Sequence, residues 1–202
     1  MIINHQHRFL FVHIQKTAGT SVTHALNGLE GSQSLGYDHS MISPVDATLY
    51  KDHFVFCFVR NPFDRLVSWW NMMLHKGHHN DFSHYLLSRA RSFSEFLDCT
   101  EIIHEQHPKE RHSDLLYPKS IAFNQLDYIT AADGSVAVNF IGRFESLEDD
   151  FKKVSKMIGV QMFLPHVNAF DRRHYRTYYG PENFEMVRNI YKRNLDHFGY
   201  DF

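Results

Sequence analysis

A hydroxyl-rich segment, residues 15–21, is the part of this chain whose residue types best suit the binding of an anion. Its lysine, Lys16, supplies a mobile positive charge, and Gly19 leaves room for a ligand to approach the backbone. The side chains of Thr17, Thr20 and Ser21 add hydroxyl donors. The composition and the short length of the segment predict a cradle for a small anionic group.

The residues on either side of this segment predict the elements that position it. Residues 8–14 are aromatic and β-branched and predict a buried strand, and the apolar spacing from Ser21 to Leu29 predicts a helix. Such a junction directs backbone N–H groups and the positive end of the helix dipole at the anion. The loop is not that of a nucleotide triphosphatase, because its lysine precedes its only glycine. An ordinary strand-to-helix turn is the alternative.

A second strand-to-helix junction offers another pair of anion ligands. Residues 54–59 are an uninterrupted apolar run, which predicts a strand buried on both faces, and Arg60 follows it. Asn61 and Pro62 are typical of a helix start. We expect Arg60 and Ser68 to hold one phosphate, through a guanidinium fork and a hydroxyl. The alternative is that Arg60 pairs with Asp64 and that Ser68 is merely exposed.

The apolar periodicity of this second helix divides its residues into two sets. The expected buried stripe consists of Phe63, Leu66, Val67, Trp70, Met73 and Leu74, and the residues expected to turn away from it are Asp64, Arg65, Ser68 and Met72.

Together, the two junctions resemble the nucleotide-binding motifs of the sulfotransferases. Gln15–Ser21 resembles the 5′-phosphosulfate loop, and Phe58–Ser68 resembles the 3′-phosphate motif, whose arginine and serine hold 3′-phosphoadenosine 5′-phosphosulfate. Similarity continues in Gln125–Tyr128, Asn139–Glu145 and Phe198–Tyr200, so it covers nearly the whole chain in family order. The second motif is closest to the carbohydrate sulfotransferases, including the heparan sulfate 2-O-sulfotransferase-like branch.

The resemblance implies a fold, a reaction and a set of site residues. The fold is α/β and P-loop-like, with three layers and a central, mainly parallel sheet flanked by helices, as the alternation of strands and helices also indicates. The reaction is sulfuryl transfer from 3′-phosphoadenosine 5′-phosphosulfate to an acceptor hydroxyl, expected on a glycan, with adenosine 3′,5′-bisphosphate as product and no metal. The donor-binding residues are expected to be Gln15, Lys16, Thr17, Ala18, Gly19, Thr20, Ser21, Arg60, Ser68 and Arg173.

Two residues are candidates for the chemistry itself. Lys16 would stabilise the charge that develops on the leaving phosphate. His39 lies before the second strand, where the related carbohydrate enzymes carry a catalytic histidine, and imidazole suits a general base near neutral pH. Glu30 and Glu145 are the alternative bases, although Glu145 better suits an anchor of its strand-to-helix turn.

Two other functions are alternatives to sulfuryl transfer, namely a small-molecule kinase of P-loop type and a catalytically inactive nucleotide-binding module.

The composition agrees with this interpretation. A chain of 202 residues with 43% hydrophobic residues suits a single domain, with residues 75–120 as a substrate-side insertion. The net charge of −2 predicts no attraction to nucleic acid. Without a predicted membrane-spanning segment or leader, the chain is expected to be a cytoplasmic, plausibly bacterial, enzyme. Its oligomeric state stays open.

Further patterns predict local structure. Ser146 and Asp149 suit a capping box for a helix that ends at Gly159, and Pro181–Gly199 suits the last helix. A basic patch of Arg172, Arg173, His174 and Arg176 would contact the nucleotide or an acidic glycan, while Tyr175, Tyr178 and Tyr179 would stack on rings or pack against the last helix. Two histidine groups carry no zinc signature, namely His75, His78, His79 and His84, and His104, His107 and His112.

Overall fold

The computed structural model describes residues 1–36, 39–42, 45, 47–77, 81–106, 121, 123–165 and 172–202. The chain forms two compact units, each assembled from two stretches of sequence. The first comprises Met1–Arg60 and Gln125–Ala169, and the second comprises Asn61–Asn124 and Phe170–Phe202. A single domain over residues 1–202 stays a prediction.

A five-stranded sheet forms the centre of the first unit. Its strands are β1 (Ile2–Asn4), β2 (Phe9–Val12), β3 (Ser32–Ser34), β4 (Phe54–Val59) and β5 (Phe140–Arg143). The spatial order is β3-β1-β2-β4-β5, in which β2, β4 and β5 are parallel, whereas β1 is antiparallel to both β2 and β3.

Eight helices are present in the part of the chain that the structure describes. They are α1 (Gly19–Asn27), α2 (Pro62–Lys76), α3 (Asp81–Arg89), α4 (Phe93–Gln106), α5 (Gln125–Ile129), α6 (Leu147–Ile158), α7 (Pro181–Ile190) and α8 (Lys192–Phe198). The helices and the parallel strands confirm the predicted α/β fold.

Strands β2 and β4, in the middle of the sheet, are buried on both faces, as the apolar run of β4 predicts. Phe9, Phe11, Phe56 and Phe58 point to one face, where they pack with residues of α1 and α6. Their neighbours in the strands point to the opposite face and are equally buried; they include Leu10, Val12, Cys57 and Val59. Burial raises the pKa of the Cys57 thiol far above its ordinary value, so this cysteine is an inert core residue.

The start of α2 forms as the sequence predicts, but the buried face of the helix is wider than the predicted stripe. The side-chain oxygen of Asn61 accepts a hydrogen bond from the backbone N–H of Phe63 at 3.0 Å, and a proline occupies the first turn. Asp64 and Arg65 are buried, so the prediction that they face away from the core is wrong. Arg65 donates to the carbonyl of Phe123 at 3.3 Å.

Other helix predictions also need correction. Leu74 is 52% exposed and lies outside the buried stripe of α2. The helical spacing of Phe82–Leu97 divides into α3 and α4, because the hydroxyl of Ser92 accepts from the N–H of Glu95 and starts a new helix. The last predicted helix likewise divides into α7 and α8 at Tyr191.

The ends of two helices agree with the sequence pattern. Gly159 after α6 and Gly199 after α8 both have positive φ, at 77° and 63°, a conformation that ends helices and favours glycine. Ser146 precedes α6 but makes no side-chain capping hydrogen bond, so the predicted capping box is wrong.

Candidate active site

The loop between β2 and α1 has an unusual backbone conformation. Lys16 and Ala18 both have positive φ, at 67° and 68°, a region that residues other than glycine rarely occupy and that costs about 1–3 kcal/mol each. Thr17, between them, has no positive φ. Alternation of right- and left-handed residues turns successive N–H groups toward one concave side and makes a nest for an anion. The backbone therefore supports the predicted anion-binding role.

Thr17 has a different part in this loop from the one its hydroxyl suggests. Its side chain is fully buried, and its hydroxyl donates to the carbonyl of Ile14 at 2.9 Å. The hydroxyl proton therefore fixes the loop and does not serve as a donor to a ligand. Thr20 is exposed and Ser21 is buried at the start of α1.

The first turn of α1, all of whose residues are described, begins without a capping side chain. Its N-cap, Ala18, makes no side-chain capping hydrogen bond, and the turn has no acidic residue. Helix N-termini carry partial positive charge and favour an anionic partner. In this loop Lys16 adds a full positive charge, so the local electrostatics suit a phosphate or phosphosulfate group.

Gly19 is required by a close contact inside the protein. A Cβ atom at this position would lie only 1.9 Å from Cδ2 of His13, because the imidazole covers the glycine. The expectation that the missing side chain makes room for a ligand is therefore wrong. Gly19 makes room for His13 instead.

The candidate base His39 lies against the same histidine. The ring centroids of His13 and His39 are 4.3 Å apart, edge to face, and Nδ1 of His39 is 3.4 Å from the carbonyl oxygen of His13. Burial, followed by the charge of His39, holds the pKa of His13 well below its ordinary value. A proton on Nδ1 of His39 would leave Nε2 as the acceptor that a general base needs.

Arg60, the residue directly after β4, lies beside the Lys16 loop. Its guanidinium group donates to the carbonyl of Lys16 at 3.2 Å and stacks on the ring of Phe144, 3.7 Å from the ring centre. The side-chain amide of Gln125 binds the backbone N–H and the carbonyl of Arg60, at 2.9 and 2.7 Å. The first unit thus joins Arg60 to the carbonyl of Lys16, and it places His39 against His13, the residue that follows β2.

The family model of the sulfotransferase family matches residues 1–201 of the chain. The chain belongs to the sulfotransferase family. A similar solved structure is that of a sulfotransferase from Alicyclobacillus acidocaldarius, which is 18% identical, with a TM-score of 0.38. The match covers 77% of this chain and 58% of that chain, so it spans less than two thirds of the length of that protein. Comparison with curated proteins finds no match.

Two predicted donor-binding residues of this chain lie in the second unit. Ser68 is half-buried in α2, and Arg173 is exposed, with its guanidinium carbon 5.4 Å from the ring centre of Tyr178. Their convergence on the Lys16 loop stays a prediction. Asp64 pairs with Arg172 at 2.5 Å.

Most residues of the basic patch around Arg173 make contacts within the protein itself. Arg172 binds Asp64, and Arg176 donates to the carbonyl of Phe202 at 2.6 Å. Tyr179 donates to the carbonyl of Phe63 at 2.8 Å, and burial raises its pKa well above the ordinary value. The tyrosine side chains here pack in the aromatic core of the second unit, which favours packing over ring stacking on a ligand.

The two glutamates predicted as alternative bases have surface positions. Glu30 and Glu145 are exposed. The anchor at the end of β5 is Asp150, whose carboxylate accepts from the N–H of Arg143 and from the hydroxyl of Ser146, both at 2.8 Å. Asp150 thus anchors this turn, and the anchoring role expected of Glu145 stays a prediction.

Other predictions concern metals, membranes and the insertion. Within the described ranges, no group of three histidine, cysteine or acidic residues is arranged to hold a metal ion. No helix in the same ranges is long and apolar enough to cross a bilayer. The histidines His78, His79, His107 and His112, with most of the later part of the 75–120 segment, lie outside the described residues. Metal independence and a substrate-side insertion stay predictions.

Sequence reasoning missed three residues of the site. His13 precedes the recognised loop by two positions, and Phe144 and Gln125 lie in segments that resemble the family without an obvious chemical role. The only available signals were the placement of a histidine at a strand end and of a glutamine at the start of a short helix. Their partners are distant in sequence and come together only in the fold.

Proposed function

We propose that this sulfotransferase transfers a sulfuryl group from 3′-phosphoadenosine 5′-phosphosulfate to a hydroxyl group of a carbohydrate. The observation that carries this proposal is the uncapped first turn of α1, preceded by the left-handed residues Lys16 and Ala18 and flanked by Arg60. The loop and helix start suit the phosphosulfate end of the nucleotide, and Arg60 beside them is the proposed ligand of the 3′-phosphate. Ser68 and Arg173 are proposed as further ligands of the nucleotide.

Lys16 is the proposed stabiliser of the leaving group. Transfer of the sulfuryl group breaks its bond to the bridging oxygen, and negative charge grows on the phosphate that leaves as adenosine 3′,5′-bisphosphate. An ammonium group and backbone N–H donors fixed in place stabilise such charge without reorganising during the reaction. The strained loop conformation supports this role, since it holds the backbone N–H donors in position before the substrate binds.

His39 is the proposed general base. The acceptor hydroxyl must lose its proton as its oxygen bonds to sulfur, and Nε2 of a neutral imidazole can accept that proton. The contact of Nδ1 with the His13 carbonyl and the edge-to-face packing of the two rings support a fixed orientation of His39. His39 also has positive φ, at 65°, as residues at functional sites often do.

The competing functions have specific weaknesses. A P-loop kinase would need glycines before its lysine, in the pattern Gly-x4-Gly-Lys-[Ser/Thr], whereas Gln15 precedes Lys16 and the only glycine of the loop, Gly19, follows it. An inactive nucleotide-binding module would have no use for a histidine pair beside the anion loop. The carbohydrate acceptor is supported by the similarity of the Arg60 motif to carbohydrate sulfotransferases.

The direct test is transfer of labelled sulfur from 3′-phosphoadenosine 5′-phosphosulfate to a panel of glycans and simple phenols, with and without a chelator. We expect labelling of at least one glycan and an unchanged rate in chelator. Labelling of phenols alone would exclude the carbohydrate acceptor. Transfer of phosphate from ATP in place of sulfate would support the kinase.

The role of His39 is tested with the variant His39→Ala. We expect loss of most turnover, while the affinity for adenosine 3′,5′-bisphosphate changes less than threefold. The wild-type rate should fall as the pH decreases, because a protonated imidazole cannot accept the proton. Near-normal turnover with the same acidic limb in the variant would assign the base elsewhere, with Glu30 and Glu145 the next residues to substitute.

A further inference from the structure

A fully buried glutamine holds the main chain at the end of the central strand. Gln125, the first residue of α5, has no exposed surface. Its Oε1 accepts from the backbone N–H of Arg60 at 2.9 Å, and its Nε2 donates to the carbonyl oxygen of Arg60 at 2.7 Å. The side-chain amide of Gln125 therefore binds both backbone polar groups of Arg60.

Arg60 lies just beyond the paired part of β4, so its backbone groups need a side chain as their hydrogen-bond partner. The pairing of β4 with β5 ends at Val59 opposite Arg143, one residue before Arg60. A primary amide has one acceptor and one donor side, as a peptide group has, so Gln125 continues the hydrogen-bond pattern for one residue beyond the strand. Buried backbone groups that lose such partners cost about 1–3 kcal/mol each.

Arg60 is held at its other end as well. The ring of Phe144 lies against the guanidinium group, and the carbonyl of Lys16 accepts from it. Arg60 as a whole residue is only 4% exposed. Rotation or displacement of the Arg60 main chain by a fraction of an ångström would therefore move the guanidinium away from both partners.

We propose that Gln125 is a positioning residue for recognition of the donor, which fixes the Arg60 main chain so that its guanidinium group meets the 3′-phosphate. This inference rests on the proposed function, because it takes the nucleotide as the ligand of Arg60. Gln125 itself does not touch the nucleotide. Its contribution is to the selectivity for a 3′-phosphate and not to the affinity for the rest of the nucleotide.

The test compares the dissociation constants of adenosine 3′,5′-bisphosphate and adenosine 5′-phosphate, measured by calorimetry. In the wild type the bisphosphate should bind more tightly. Gln125→Glu retains the volume and one acceptor but loses the donor to the Arg60 carbonyl, and we expect it to reduce this ratio about tenfold, or about 1.4 kcal/mol. Gln125→Ala should reduce it at least as much. Binding of adenosine 5′-phosphate should change less than threefold in both variants.

Two controls separate this role from a purely structural one. Gln161→Glu makes the same chemical change at an exposed position of the first unit and should keep the wild-type ratio. In an Arg60→Ala background, Gln125→Glu should have no further effect on the ratio. Weaker binding of both nucleotides by the same factor in Gln125→Glu would show a general structural defect and overturn the proposal.

The outcomes also distinguish the two levels of inference. If Arg60→Ala lowers the ratio but Gln125→Glu does not, the positioning role is overturned and the proposed role of Arg60 stands. If Arg60→Ala leaves the ratio unchanged, both are overturned. If the Gln125 variants do not fold, the hydrogen-exchange rate of the Arg60 backbone amide in the wild type tests the proposal instead. Adenosine 3′,5′-bisphosphate should slow this exchange more than adenosine 5′-phosphate does. Equal exchange rates in the two complexes would contradict the proposal.

Discussion

Helices α1 and α6 pack on the same face of the sheet, and each follows a parallel strand, yet their N-termini are built differently. The first turn of α6 contains three acidic residues, and one of them, Asp150, binds the N–H of Arg143, the hydroxyl of Ser146 and the ammonium group of Lys153. The first turn of α1, which is described throughout, contains no acidic residue and has Lys16 just before it.

This difference shows how one topology yields a structural junction and a candidate binding site. At α6 the protein supplies its own anion, and hydrogen bonds outweigh the cost of burial and hold the pKa of Asp150 below its ordinary value. At α1 the protein supplies positive charge and a strained backbone without a carboxylate of its own in the turn. The anion of α1 is therefore expected from a substrate.

The largest expected effect that tests this comparison is the loss of the lysine before α1. Lys16→Ala should lower kcat by about a hundredfold to a thousandfold, because one fixed donor to the leaving oxygen is removed. Donor affinity should change less. The matched control is Lys152→Ala in α6, an exposed lysine paired with Asp149, which should leave kcat unchanged. Equal effects of the two substitutions would remove the distinction between the helices.

The second prediction concerns the carboxylate that α6 supplies to itself. Asp150→Asn should lower the free energy of unfolding by about 1.5–3 kcal/mol, since charge-assisted hydrogen bonds at a buried position are lost. Urea denaturation measures this change. Binding of adenosine 3′,5′-bisphosphate to the folded variant should stay at the wild-type level. Loss of nucleotide binding without loss of stability would contradict a structural role for this junction.

The third prediction uses pH to separate the two junctions. Burial holds the pKa of His13 well below its ordinary value of 6.5 in the folded state, so below pH 6.5 the unfolded chain binds this proton more readily than the folded protein does. Stability should therefore fall as the pH decreases below 6.5, by up to about 1.4 kcal/mol per pH unit. For Asp150, whose folded pKa is lowered, the contribution is present above 3.8 and is lost only as the pH falls below that value.

Two variants, denatured at a series of pH values, show which residue causes the change in stability in each pH range. His13→Asn should flatten the stability profile between pH 6.5 and 5 relative to the wild type, while Asp150→Asn should keep that slope. Parallel profiles for wild type and His13→Asn in this range would show that His13 titrates normally in the folded protein.

The smallest expected effect comes from making α1 more like α6. Thr20 is exposed in the first turn of α1, so Thr20→Glu places a carboxylate there without disturbing the core. The charge should stabilise the free helix by about 0.3–1 kcal/mol and weaken bisphosphate binding severalfold by repulsion. Thr20→Gln is the uncharged control. Equal affinities of the two variants at low salt would place the bound phosphates away from this turn.

Much of the first unit could be predicted from local sequence. The apolar runs of β2 and β4 and the Asn-Pro start of α2 depend on near neighbours, and the structure confirms them. β3 could not be predicted, because its residues, Ser32–Ser34, are polar and pair with β1 only in the tertiary fold. The division of the final helix at Tyr191 likewise has no proline or glycine to announce it.

The site was predictable in its residue types but not in its contacts. Lys16, Arg60 and His39 could be identified because charged residues, strand ends and motif spacing can be recognised in the amino-acid sequence. The roles of Gly19 and Gln125 depend on partners that only folding brings near. Gly19 is 6 residues from the imidazole that covers it, and Gln125 is 65 residues from the main chain that it binds.

The most direct test of the central claim is the melting temperature of the wild type with adenosine 3′,5′-bisphosphate and with ATP at the same concentration. If the Lys16 loop and Arg60 belong to one donor site, the bisphosphate at about a hundredfold its dissociation constant should stabilise the protein by about 2.7 kcal/mol. ATP, which lacks the 3′-phosphate, should raise the melting temperature much less. Equal stabilisation by both nucleotides, or by neither, would contradict the account.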